Sequence, residues 1–152
     1  MKPQSLLLLI ALCLPITSLQ AEEIPEEIIA AIKTRIAEDL AGDEEAQVEA
    51  LEMEKKDYLA IKDFHTESVP KDVLTTILES TRSDYPDEYS TQKFAINEQI
   101  EAYIFLQNLN SDKVPQDVLE NILKKAASEY SDEYDTQRYY IEDEIARYLS
   151  TQ

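Results

Sequence analysis

The sequence predicts an all-α protein made of three tandem helical hairpins, on three observations. The composition is that of helices, with one Gly and no Trp in 152 residues and with Glu, Ala, Leu, Ile and Gln abundant. No Asn-Gly or Asp-Gly dipeptide and no sustained apolar–polar alternation marks a strand or hairpin turn. Finally, residues 83–92 return forty-five positions later as 128–137, and the ungapped segments 69–107 and 114–152 agree at 18 of 39 positions.

The chain begins with a segment, residues 1–21, that has the pattern of a secretory signal. Lys2 supplies the charged start, residues 6–14 an apolar run, and residues 18–21 a small-residue end for cleavage near Ala21. The run is shorter than the roughly 20 apolar residues a membrane-spanning helix needs. A lipoprotein signal using Cys13 is the alternative, but Leu12 stands where a small residue is expected. Cleavage near Ala21 removes the chain's one cysteine, so residues 22–152 form a single domain held by its core without disulfides. The expected destination is the periplasm or the exterior of the cell, with no membrane insertion after cleavage.

Lys2 is the one charged residue of that segment, so the formal net charge of −18 becomes −19 for the remainder. Such a surface repels nucleic acid and anionic lipid and attracts basic proteins, cationic peptides and metal cations. Acidity of this kind also serves solubility alone.

The repeats run over 24–68, 69–113 and 114–152. The first copy is the most divergent but keeps Pro25 with Pro70 and Pro115, Gln47 with Gln92 and Gln137, and Tyr58 with Tyr103 and Tyr148. Each proline, followed by an acid two residues later, predicts a helix start with proline at the first helical position. Spacings of three and four residues mark one apolar face of this first helix: Ile28, Ile29, Ile32, Ile36 and Leu40, then Val73, Leu74, Ile77, Leu78, Thr81 and Tyr85, then Val118, Leu119, Ile122, Leu123, Ala126 and Tyr130. It ends at Gly42, before Pro86 and near Ser131. A longer second helix follows, with inner stripes Tyr89, Gln92, Ile96, Ile100, Tyr103 and Tyr134, Gln137, Ile141, Ile145, Tyr148. Glu44 and Lys55 interrupt the stripe in the first copy, as a terminal capping repeat would require. Stacking buries what one hairpin cannot, as a short α-solenoid or a six-helix bundle.

The candidate partner-binding residues lie in the repeated acidic, tyrosine-bearing turn: Tyr85, Asp87 and Glu88 in one copy, Glu129, Tyr130, Asp132 and Glu133 in the other. Acids beside tyrosines suit the Arg or Lys of a basic protein or peptide through ion pairing and cation–π contact. The plainer reading puts Asp87, Glu88, Asp132 and Glu133 in the first turn of the second helix, on its dipole. Calcium binding is the alternative function, although no Asp-x-Asp-x-Asp-Gly loop is present. Gln47, Gln92 and Gln137 on the inner stripe are expected to hydrogen-bond the unpaired carbonyls of the turn, and Tyr58, Tyr103 and Tyr148 to pack in the core.

Catalytic motifs are scarce. One histidine, His65, lies between repeats, no cysteine follows the signal, and no nucleophile elbow or glycine-rich phosphate loop occurs. Paired acids suffice for glycoside hydrolysis, but 32 acids give that no specificity. The expectation is a non-enzymatic interaction module of the inhibitor, immunity or scaffold type, without cofactor or metal.

At a charge of −19, self-repulsion opposes compaction at neutral pH. The melting temperature should therefore rise between low and physiological salt; an unchanged value would show the charges to be well dispersed.

Overall fold

A computed structural model describes residues 23–111 and 113–152. The segment read as a signal lies outside the described residues. Among the described residues there are six α-helices and no strand: α1 (Glu26–Asp39), α2 (Glu44–Lys62), α3 (Lys71–Asp84), α4 (Tyr89–Asn108), α5 (Gln116–Glu129) and α6 (Tyr134–Ser150). None is long and apolar enough to cross a membrane.

The short helices α1, α3 and α5 start from Pro25, Pro70 and Pro115, each extended at ψ 140°, 148° and 142°. This corrects the expected register by one residue, because each proline is the N-cap rather than the first helical residue. The reason is its carbonyl: held outside the helix, it already accepts the N–H of Ile29, Leu74 or Leu119 at 3.2, 2.9 and 3.0 Å. Proline's missing N–H costs nothing there, since an N-terminal N–H has no partner within the helix.

Each short helix turns back into the long helix after it through the same set of bonds. The C-cap residue, Leu40, Tyr85 or Tyr130, donates its N–H to Ile36, Thr81 or Ala126 and accepts that of Asp43, Glu88 or Glu133. Its carbonyl also takes the side-chain Nε2–H of Gln47, Gln92 or Gln137, at 2.9, 2.7 and 2.7 Å. Gln137 reaches the Ser131 carbonyl as well, at 3.2 Å. Tyr85 and Tyr130 are therefore outside the short helices, one position beyond the faces assigned to them from spacing.

The turns also correct the placement of the acids. Asp87, Glu88, Asp132 and Glu133 precede the long helices rather than opening them: α4 has no acid in its first turn, and α6 has Asp135. Asp87 adopts the left-handed region at φ 62°, as Gly42 does at φ 88° in the preceding hairpin. That conformation cannot continue into a helix, so the helical path begins at Tyr89.

The helices pack within hairpins as α1 on α2, α3 on α4 and α5 on α6, and across hairpins as α2 on α4 and α4 on α6. No other helix pair makes backbone contact among the described residues. The long helices thus follow one another in a continuous layer, and each short helix packs on the long helix that follows it. The main core joins Ile32 and Ile36 of α1 to Ile61 of α2, Leu74 and Ile77 of α3, and Tyr89, Ile96 and Ile100 of α4. Leu119, Ala126 and Ile141 are buried in the last hairpin.

Replacing Gln137 with Leu removes the donor while the Tyr130 carbonyl keeps its backbone partner. The expected loss is about 1–2 kcal/mol of unfolding free energy, read by denaturant titration, with binding of basic peptides unchanged. Altered binding at unchanged stability would assign Gln137 to the interaction surface instead.

Candidate functional site

The long helices α4 and α6 begin without a side-chain cap of their own, although their N-terminal N–H groups have no partner within the helix. Acceptors come from the long helix of the hairpin before. Glu54 of α2 takes the Ser90 N–H on Oε2 at 3.0 Å. Gln99 of α4 takes the N–H of Tyr134 on Oε1 at 2.8 Å and, more weakly, that of Asp135 at 3.4 Å. Each cap is flanked by an edge-to-face tyrosine pair, Tyr58 with Tyr89 at 5.0 Å and Tyr103 with Tyr134 at 5.1 Å between centroids.

Glu54 is 5 % exposed and needs a countercharge. Arg35 of α1 supplies it, with Nη2 donating to Glu54 Oε1 at 2.7 Å, Nη1 to Asp39 Oδ2 at 3.1 Å and Nε to the Asp87 carbonyl at 3.3 Å. Nearby, the buried Asp57 is held by Lys93 at 2.6 Å. At the junction between the first two hairpins, each buried carboxylate, Glu54 and Asp57, thus has a basic partner.

The junction between the second and third hairpins is different. A cavity of about 490 Å³ opens between the end of α3 and the start of α6, walled by Ser80, Thr81, Asp84 and Tyr85 on one side and by Asp132, Glu133 and Asp135 on the other, with Gln99 at its base. Four carboxylates line it and no basic side chain does. Gln99 Nε2 donates to Asp135 Oδ1 at 2.6 Å, and the Thr136 N–H donates to the same oxygen at 2.7 Å, so Asp135 is fixed in place.

Of the residues singled out from sequence, Tyr85, Asp132 and Glu133 meet in this groove, and the others lie elsewhere. Asp87 lines a separate cavity of about 410 Å³ with Tyr58, Arg82 and Tyr89. Glu88 accepts from the Thr91 hydroxyl at 3.2 Å. Glu129 lies 3.9 Å from Lys125 on exposed surface, and Tyr130 packs its ring on Tyr140 at 5.7 Å. His65 is exposed, with Nδ1 3.2 Å from the Asp63 carbonyl.

Sequence reasoning missed Arg35, Glu54 and Gln99 as site residues. One signal was present: Glu54, Gln99 and Glu144 occupy the same aligned position, so an acceptor side chain recurs there although the residue type does not. Among the described residues, no group of three or more His, Cys, Asp or Glu is arranged to hold a metal ion. Compared with protein-family models, curated proteins and solved structures, the chain matches none.

The tyrosine pairs give the junctions a titration. Burial, reinforced by the Asp87 carboxylate and Tyr58, pushes the Tyr89 phenol up from 10.0 to about 12. Burial and Asp132 raise Tyr134 in the same direction. A phenol whose folded value exceeds its unfolded one contributes full stability below pH 10 and loses it as pH climbs toward 12. Wild type should therefore lose more stability than Tyr89→Phe over that interval, as followed by urea midpoints. Parallel curves for the two proteins would remove Tyr89 from the account.

Proposed function

We propose that the chain is an exported acidic protein of three forty-five-residue αα-hairpins, stacked as a short α-solenoid, that binds a basic protein or peptide and catalyses no reaction. The equal spacing of the helix starts at Glu26, Lys71 and Gln116, and again at Glu44, Tyr89 and Tyr134, supports the repeat reading. So do the recurring turn bonds and the neighbour-only packing of the hairpins. Export rests on the pattern of residues 1–21.

The observation that carries the binding reading is the groove between the second and third hairpins, with Asp84, Asp132, Glu133 and Asp135 around it and no basic side chain in its lining. Uncompensated carboxylates converging on a concave surface create a local negative potential stronger than the general charge of the protein. Tyr85, 38 % exposed at the rim, adds an aromatic face for a cationic side chain. A partner of opposite charge gains both rapid encounter and a defined seat.

The test is titration with a short lysine- and arginine-containing peptide at physiological salt. Neutralising Asp84, Asp132 and Glu133 together should weaken binding by about tenfold or more, since the loss of even one charge-assisted contact of about 1.4 kcal/mol is a factor of ten. Neutralising three exposed acids away from the groove, Glu38, Glu49 and Glu101, should change it little. Equal effects of the two triple variants would reduce the interaction to bulk charge and defeat the proposal.

A further inference from the structure

Arg35 shows what a groove between these hairpins holds. One guanidinium spans a carboxylate at the end of the short helix (Asp39), a carboxylate of the long helix (Glu54) and the carbonyl of Asp87 in the next hairpin's turn. Forty-five residues on, those four positions are Ser80 for Arg35, Asp84 for Asp39, Gln99 for Glu54 and Asp132 for Asp87. All four line the cavity between the second and third hairpins.

Where the first junction has an arginine, the second therefore has a serine, whose hydroxyl donates to its own helix at the Ile77 carbonyl, 3.2 Å away. The negative charge has not fallen with it. Glu54 becomes the neutral Gln99, but Ser90 becomes Asp135, and Gln99 holds Asp135 at the groove. Asp39, Glu54, Asp87 and Glu88 of the first junction thus correspond to Asp84, Asp132, Glu133 and Asp135 at the second, four acids each, with an internal cation at the first alone.

We propose that the second groove is a docking site for an arginine side chain of a basic partner protein, bound between the hairpins as Arg35 is bound at the first junction. This rests on the interaction reading given above and narrows it to one residue type and one seat. Arginine fits better than lysine because the template uses three separate nitrogens directed at three acceptors, a fork that one ammonium cannot reproduce. Tyr85, standing where the first hairpin has Leu40 and 38 % exposed, offers an aromatic surface for the guanidinium face.

The test uses the soluble chain, the peptides acetyl-Gly-Arg-Gly-amide and acetyl-Gly-Lys-Gly-amide, and amide chemical shifts. The arginine peptide should perturb Asp84, Gln99, Asp132 and Asp135 and bind several-fold more tightly than the lysine peptide. Ser80→Arg installs the internal cation and should abolish those perturbations. Should Ser80→Arg not fold, Asp84→Asn with Asp132→Asn serves instead and should weaken the arginine peptide by about tenfold. Equal binding of the two peptides, or arginine binding that survives the substitution used, overturns the arginine seat. If the longer basic peptide still binds in that case, the interaction reading stands without it. If wild type binds no basic peptide at all, both fall.

Discussion

Every helix that starts inside a protein leaves backbone N–H groups to be satisfied, and here the solution ties one hairpin to the next. The α4 and α6 N-termini take their acceptors from Glu54 and Gln99, residues in the middle of the preceding long helix. This constraint sets the lateral register of the long helices, because an acceptor from the middle of one helix must reach the first turn of the next. The tyrosine pairs form around that register. Breaking a cap would expose donors in a region that excludes water, a cost comparable to a lost hydrogen bond and more where the acceptor is charged.

The two junctions share a geometry and differ in charge balance. In the first, a buried carboxylate is both helix cap and ion-pair partner, and an arginine is required to make its burial tolerable. In the second, the cap is an amide, which needs no countercharge, and the carboxylate has moved to Asp135 at the groove itself. Neutralising the cap thus frees the junction from needing an internal cation. This exchange, Glu54 and Ser90 for Gln99 and Asp135, is what distinguishes the second junction from the first.

Much of the fold was legible in the sequence. Proline-led starts, three-and-four spacings and the Gly42, Pro86 and Ser131 interruptions marked six helices, with the short ones starting within a residue of the expected place, since each reports local backbone chemistry. The turn acids were set too far inside the long helices because nothing local announces that Asp87 adopts a left-handed conformation. The site was legible only in part. Tyr85, Asp132 and Glu133 stood out through repetition, whereas Arg35, Glu54 and Gln99 act across hairpins and differ in letter between copies. Identity between copies revealed the glutamines of the turn; shared hydrogen-bonding capacity, not identity, would have been needed to reveal the caps.

The core is unevenly distributed along the layer. Its contiguous cluster runs through α1 to α4, while α5 and α6 attach chiefly through the α4–α6 contact, with Tyr134 at the seam. In a linear array a terminal unit has one neighbour, and the third hairpin meets the rest through α4 on α6. Its turn forms one wall of the acidic groove, and the second hairpin forms the other. A molecule seated there would touch both hairpins at once, so that occupancy would be felt beyond the groove, as slower exchange of amide protons in α5 and α6.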